Sequence, residues 1–517
     1  MAAVMKTSGL AGLLTGAVAL GVAELTAAVT GPNGAPVTAV GETAINLTPV
    51  PVKEFAIAHF GTHDKAVLVA GILMLLAAFA ALIGVLAVRR LAYGLAALAV
   101  FAAVGVAAAV SQGGGLNVVP TLAGTAVAAA TLVLMVRAIR GTARPETAGP
   151  VEGTGLAGGP GGKGLERRRF LIVGAGAAAL GVAAGGLGNA LLGRFSVASS
   201  RAAVRLPGPA VPAPAVPGTD LRIPGLTPFM TSNASFYRVD TDLVLPQVSP
   251  ETWTLTIDGM VDRPVELTFA ELLKMSLTEA DITLVCVSNQ VGGTYNGNAT
   301  WLGVPLAGLL RRAGVRAGAD QVLSAATDGM TISTPVATIM DGRNALLAVG
   351  MNGQPLPVAH GFPARMIVPG LYGYVSATKW VTKLTLTTFA RQKAYWTQRG
   401  YSAQAPVKTE SRIDVPKPLS QVPAGRITVA GVAWAPAKGI AKVEVSADNG
   451  PWQKATLAAS GGIDTWRQWM WGWDARPGLR NLRVRATDNS GATQTPQRAY
   501  PVPNGASGWD SVVVTVM

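Results

Sequence analysis

The sequence predicts three parts in succession: N-terminal transmembrane helices, about five of them, then an α+β globular domain, then an all-β, immunoglobulin-like sandwich. Three observations carry this. Five apolar stretches of near-spanning length fall before residue 192, strand and helix signals mix from Thr231 onward, and beyond Arg412 only short alternating segments remain. The boundaries fall at 1–192 for the helices, 193–226 for a Pro-rich linker, 227–411 for the α+β domain and 412–517 for the sandwich.

Half of the 517 residues are apolar and only 14% are charged, with a mean hydropathy of +0.38, as suits a chain part membrane-embedded and part globular. The net charge of +14 comes without a long Lys or Arg run, and the basic residues flank apolar spans, so no nucleic-acid partner is expected. The spans are placed at 10–29, 66–88, 91–110, 120–136 and 170–192. Lys6, the Arg89 and Arg90 pair, and the group of Arg137, Arg140, Arg144, Lys163, Arg167, Arg168 and Arg169 fall on alternate loops, always on one side. That side is predicted to be cytoplasmic, which makes this a multi-pass cell-membrane protein with everything after residue 192 extracytoplasmic. Glu24 lies toward the outer end of the first span, within snorkelling reach of the interface. His59 and His63, one helical turn apart, cannot clamp a haem from opposite sides, so their segment reads as interfacial and no resident b-type haem is expected. Residues 141–164 read as a flexible cytoplasmic loop, and 206–228, with repeated Ala-Pro and Val-Pro, as an extended spacer.

In the globular part, 253–257 alternates as a strand does, and Thr268 with Glu271 forms a capping box for a helix over 269–275. Residues 282–287 read as a buried strand containing Cys286, the only cysteine of the chain. Gly292-Gly293 and Asn296-Gly297-Asn298 supply turns before a helix beginning near Pro305. A single cysteine forms no internal disulfide, so either it packs as a small apolar residue or its thiolate is a nucleophile or metal ligand. Further strands are expected at 427–434, 441–445, 452–457, 466–473 and 482–486, with Asp448-Asn449-Gly450 as a tight hairpin. No phosphate-binding loop, paired-cysteine zinc site or serine-triad motif is present.

The run CVSNQVGG followed by GNATWLGVPLAGLL resembles the molybdenum-cofactor domain of the sulfite oxidase superfamily. So do the HGFPAR segment from His360 to Arg365, then Pro369-Gly370 and Lys379-Trp380, in the family's order. With a C-terminal part similar to the family's dimerisation domain, the resemblance covers roughly 227–517. It implies a molybdenum-molybdopterin cofactor, with Cys286 as the metal ligand and catalytic residue. It implies cofactor contacts from Asn233, Tyr237 and Arg238 in an N-terminal segment, Asp328 in an acidic turn, the pair His360 and Arg365 on the phosphate, and Ser376, Thr378 and Lys379 in a last loop. On the residues alone, the first segment is also a polar turn with two aromatics, and Asp328 also a turn aspartate bonded to its own backbone.

The function implied is a membrane-anchored, outward-facing oxidoreductase transferring an oxygen atom to or from a small-molecule substrate. A separate electron carrier, a cytochrome or quinone-linked subunit, would serve it, and the sandwich would form a homodimer. Animal sulfite oxidases carry paired arginines after the cysteine, whereas here Val287 to Val291 has none and 328–335 has no match to the substrate-site tyrosine. An S-oxide or N-oxide is therefore favoured over sulfite, unless Arg412 reaches across from the domain boundary. The run ERRRFL, at 166–171, resembles a twin-arginine export signal and equally reads as a positive-inside flank. Two rival readings remain: a non-catalytic envelope protein that binds a partner through its sandwich, and a cysteine-nucleophile hydrolase with His360 as base.

Overall fold

The computed structural model describes residues 2–60, 63–141 and 162–517. The chain divides into two compact units, Met1–Ser196 with Thr241–Val244, and Val197–Asp240 with Leu245–Met517.

Among the described residues five helices are long and apolar enough to cross a membrane, Lys6–Thr30, Asp64–Arg89, Leu91–Ser111, Gly115–Arg140 and Arg168–Ala203, the last running past the end of the first unit. They coincide with the five predicted spans and extend beyond them. A helix satisfies its own backbone hydrogen bonds, which is what an uncharged run of this length requires in hydrocarbon. Small and branched residues from different helices share the core, among them Ala11, Val18, Met135 and Ala177, and beside them Ile83, Ala87, Leu132 and Val136. Two helices, Pro36–Leu47 and Val50–Phe60, were not foreseen between the first and second spans. Pro36 at the first helical position is the start signal that sequence reading passed over. His59 lies in the last turn of Val50–Phe60 and stacks on Phe55 at 4.1 Å, whereas His63 stands at the N-cap of Asp64–Arg89, so the two histidines do not share one helix. Most of the loop expected at 141–164 lies outside the described residues.

The second unit begins with two sheets. One runs Val265–Thr268, Thr254–Gly259, Val381–Thr387, Gln321–Ala326, Thr331–Pro335, with Thr254–Gly259 and Val381–Thr387 parallel and the other pairs antiparallel. The other pairs Thr278–Val285 with Asn296–Pro305 and that with Leu346–Met351, to whose far edge Gln354–Pro355 and Arg365–Ile367 attach. Ile282, Leu284, Trp301, Leu346, Ala348 and Phe362 form the core on this sheet. The capping box forms as expected, with Thr268 N donating to Glu271 Oε2 at 2.9 Å and Glu271 N to Thr268 Oγ1 at 3.3 Å. Asn296 to Asn298, expected as a turn, instead open a strand. Their polarity misled because the partners are distant: Asn298 is fully buried, accepts from Thr283 Oγ1 at 3.0 Å and donates to Phe229 O at 3.1 Å.

The sandwich packs Glu410–Val415, Gly425–Trp434, Arg467–Ala475 and Thr456–Leu457 against Gln421–Val422, Asp510–Val516, Gly478–Asp488, Ile440–Ala447 and Gln453–Lys454. Val429, Val443, Trp469, Leu482, Val484 and Val514 fill the space between. Asp448 and Asn449 adopt φ of 52° and 61°, the left-handed pair a two-residue hairpin needs. Glu410–Val415, Gln421–Val422 and Asp510–Val516 are strands the alternation pattern did not single out. The segment expected as a spacer is extended but not free. Ala210 N bonds Leu277 O at 2.8 Å, Leu221 N bonds Gln468 Oε1 at 2.6 Å, and Gln468 Nε2 donates to Thr227 O at 2.7 Å.

Glu410 is buried in the first sandwich strand, where it accepts from Gln494 Nε2 at 2.8 Å. Burial, opposed by Lys408, pushes its carboxyl up from 4.5 to about 8. The folded chain therefore holds this proton through a pH range in which the unfolded chain releases it. The resulting stability is fully present below pH 4.5 and is lost as pH rises through 8. Glu410→Gln keeps an acceptor for Gln494 and removes the titration. Between about pH 5 and 8, thermal unfolding of the full chain should show wild type losing on the order of a few kcal/mol relative to the variant. Parallel curves would refute this assignment.

Candidate active site

Cys286 follows directly on the strand Thr278–Val285 and is 8% exposed. Its N–H donates to Tyr295 O at 2.9 Å and its carbonyl accepts from Asn289 N at 3.1 Å. Asn289 Oδ1 in turn accepts from Tyr295 N at 2.8 Å, so residues 286–295 close into a loop. An aromatic wall stands near it. Tyr237 stacks on Phe236 at 5.2 Å and meets Tyr295 edge-on at 6.5 Å, while Phe236 packs edge-on against Trp301 at 5.7 Å and His360 at 5.5 Å. Burial first, then the nearby Cys286, lifts the Tyr237 hydroxyl well above its ordinary range, so it stays a neutral donor. Tyr372 is buried and shifted the same way, by burial, then by Glu410, with Cys286 adding to it. Sequence reading missed Tyr372.

The cationic side of the site is assembled around Gly361. Its φ is 107°, and a Cβ there would lie 3.0 Å from Arg365 Cβ and 3.1 Å from Lys379 Cα, so glycine alone lets these two residues approach. Arg365 is buried, donates to His360 O at 3.1 Å and Ala377 O at 3.4 Å, and lies over the Trp301 ring at 5.1 Å. Its Nε has no hydrogen-bond partner. Burial lowers it only to about 10, so it keeps its charge at neutral pH. Lys379 Nζ donates to Asp240 Oδ2 at 2.6 Å, and Arg238 Nε grips the same carboxylate at 2.7 Å. Burial outweighs Asp240 and brings Lys379 down to about 8. His360 Nε2 lies 3.2 Å from Asn233 O; a carbonyl only accepts, so this nitrogen carries the proton. Burial, then Arg365, hold His360 near 4, which leaves it neutral. Lys379 and Arg238 thus share one carboxylate, while Arg365 meets carbonyl oxygens.

Other predicted residues sit differently. Asn233 is oriented by Asn352 Nδ2, which donates to its Oδ1 at 2.9 Å, and contributes its carbonyl to His360. Asp328 Oδ1 accepts from Met330 N at 2.9 Å within its own turn, which Thr327 N ties to Trp380 O at 3.0 Å, beside Lys379. Ser376 Oγ donates to Leu371 O at 3.1 Å and Tyr372 O at 3.0 Å, and Thr378 Oγ1 lies 2.6 Å from Ser324 Oγ. Both hydroxyls brace the fold. Arg412 does reach the Cys286 loop, donating to Gly293 O at 2.6 Å, but Asp414 answers its charge at 2.7 Å. A histidine held near 4 is a weak base for activating a thiol at neutral pH, which counts against the hydrolase reading.

Residues 242–396 match the oxidoreductase molybdopterin binding domain family. The mitochondrial sulfite oxidase of Mus musculus is 27% identical over 343 residues, which cover 56% of this chain and 62% of that protein. The uncharacterized oxidoreductase YuiH of Bacillus subtilis is 32% identical over 149 residues, covering 29% of this chain and 72% of that one. The crystal structure of the sulfane dehydrogenase SoxCD from Paracoccus pantotrophus shares the fold, with a TM-score of 0.50 and 23% identity over 56% of this chain and 84% of that chain. The chain spans 62% of the length of the mouse and rat sulfite oxidases, a little under two thirds. Among the described residues no three His, Cys, Asp or Glu side chains gather as metal ligands, so a metal at Cys286 would need its other ligands from a cofactor. A buried guanidinium with an unsatisfied N–H beside a second buried cation fits a phosphate-bearing pterin that brings those ligands. With a lone thiol on the loop and a cationic cradle behind it, the chain belongs to the sulfite oxidase superfamily of molybdopterin-dependent oxidoreductases.

Proposed function

We propose that this is a membrane-anchored, outward-facing enzyme that transfers an oxygen atom to or from a small neutral substrate, an S-oxide or N-oxide in preference to sulfite. One observation carries the reading: the excess positive charge lies at Arg365, Lys379 and Arg238, while the residues that follow Cys286, Val287 to Val291, bring no cation. The charge suits a cofactor phosphate and leaves the substrate side neutral. Two relatives named for sulfur compounds, a sulfite oxidase and a sulfane dehydrogenase, support sulfur chemistry in the broader sense.

When bound, the cofactor supplies two-electron chemistry at molybdenum, and the protein supplies binding and electrostatics. Cys286 offers a soft thiolate ligand. Arg365 presents a planar fork to phosphate oxygens, and Lys379, kept charged by Asp240, adds a second contact. His360 stays neutral and adds no further repulsion. Asn233 and Arg238 set the segment that holds Tyr237, while Asp328, Ser376 and Thr378 shape the backbone around Lys379. Tyr237 keeps its proton and offers a donor to a neutral oxygen, whereas the Tyr372 hydroxyl is packed beside Gly505. Arg140 Nη2 donates to the carbonyls of Ala87, Val88 and Arg89 at 3.2, 3.2 and 3.3 Å. That gathers Arg89 and Arg140 at one end of the bundle and supports a cytoplasmic face there, with the catalytic unit outside. Electrons would pass to or from a separate carrier, a cytochrome or quinone-linked subunit, and the sandwich would pair two copies.

Metal and pterin analysis of the purified full chain tests the cofactor assignment. Cys286→Ser should retain the fold and lose turnover, because an alkoxide is a harder ligand than a thiolate. Arg365→Ala should lower molybdenum occupancy through the loss of a charge-assisted contact of about 1.5–3 kcal/mol. Full turnover in the first variant, or unchanged occupancy in the second, would remove the corresponding role.

Substrate preference is read by steady-state kinetics, with sulfite and an artificial acceptor compared against reductant-driven reduction of methyl sulfoxides. Sulfoxide reduction should dominate. Sulfite oxidation at a kcat/KM of about 10⁴ M⁻¹s⁻¹ or above, the lower end of typical enzymes, would overturn the preference.

A further inference from the structure

The loop that carries Cys286 is not held by its own domain alone. Arg412 sits in the first sandwich strand, Glu410–Val415, with only 4% of its surface exposed. Its Nε donates to Asp414 Oδ1 at 2.7 Å, one Nη to Gly293 O at 2.6 Å and Asn296 Oδ1 at 2.9 Å, and the other Nη to Thr227 Oγ1 at 3.0 Å. Asp414 closes the arrangement by accepting Thr227 N at 3.1 Å through its other oxygen. From the last sandwich strand, Asp510 accepts Ile413 N at 2.9 Å and stands against Gly292, where a Cβ would lie 2.5 Å from its Oδ1. The φ of Gly292 is 77°, so this close approach also needs a glycine. The returning limb of the Cys286 loop is thus held by the sandwich at Gly292, Gly293 and Asn296. Its far end is tied back through Tyr295 O to Cys286 N at 2.9 Å.

We propose that Arg412 is a positioning residue for Cys286, fixing through Gly293 and Asn296 the loop that aims the thiol. Three properties favour positioning over anion binding. Asp414 neutralises the guanidinium, its donors are spent on loop and strand acceptors, and the charge is buried away from water. A rigid fork suits such a task, because it meets several acceptors at fixed angles where an ammonium acts as a point charge. The consequence for catalysis rests on Cys286 being the metal ligand; the clamp itself does not.

Two variants of the full chain test this. Arg412→Lys keeps the charge beside Asp414 but cannot span Gly293, Asn296 and Thr227 together. Asn296→Ala removes one acceptor and leaves the Arg412–Asp414 pair intact; the Asn296 Nδ2 it also removes has no hydrogen-bond partner. In chain produced without cofactor synthesis, maleimide alkylation of Cys286 should rise about tenfold in both, as expected for losing one charged hydrogen bond that opposes local opening. Thermal midpoints should move little. In cofactor-loaded chain, molybdenum content should match wild type while the molybdenum(V) resonance spectrum shifts and kcat falls with KM unchanged. Alkylation within about twofold of wild type in folded Asn296→Ala overturns the clamp, and that variant decides alone if Arg412→Lys does not fold. If wild type takes up no molybdenum, the metal-ligand reading falls, and the alkylation rates still judge the clamp.

Discussion

The globular unit is built around a buried charge imbalance. Burying one unpaired ion costs several kcal/mol, yet Lys379 and Arg238 share the carboxylate of Asp240 and Arg365 leans on neutral groups. The surroundings soften this with what a protein can offer short of an anion. Carbonyl oxygens of His360 and Ala377 face Arg365, the Trp301 ring lies 5.1 Å from Arg365, and the Trp380 ring 4.4 Å from Lys379. His360 stays neutral and does not add to the excess. The unsatisfied Nε shows how far the compensation falls short. An anion bound there repays a cost already built into the fold, so ligand and stability are linked.

Charge and softness are kept apart. The cations and the neutral histidine occupy one side, while Cys286 is bordered by a closed backbone loop and by tyrosines that hold their protons. In a low-dielectric site such segregation decides which end of a ligand enters where, because a misplaced charge costs more than a misplaced methylene. Specificity then comes from withheld charge as much as from offered contacts.

What was legible in the sequence was mostly local. The five spans, the capping box at Thr268 and Glu271, the Asp448-Asn449 hairpin and the ordered motifs around Cys286, His360 and Lys379 each depend on neighbours within a few residues. What escaped depends on partners far along the chain. Asn298 enters a strand because Phe229 and Thr283 satisfy its amide, and the proline-rich spacer docks because Leu277 and Gln468 receive it. Ser376 and Thr378 carry motif positions, but their hydroxyls turn inward to groups no motif specifies. Arg412 was singled out by its charge at the domain boundary, but its partners Gly293, Asn296 and Thr227, more than a hundred residues away, were not.

The span of those contacts also dictates an order of events. Gly293 waits for Arg412, 119 residues later, and the Phe229 carbonyl for Trp466, 237 residues later. Contacts of such sequence separation form late, since chain closure entropy is met before they stabilise anything. A nascent chain therefore presents its cationic cradle and its thiol on an unfinished loop until its last strands are in place. A chain truncated before the sandwich would lack the bonds that reach Gly293 and Asn296 in the Cys286 loop.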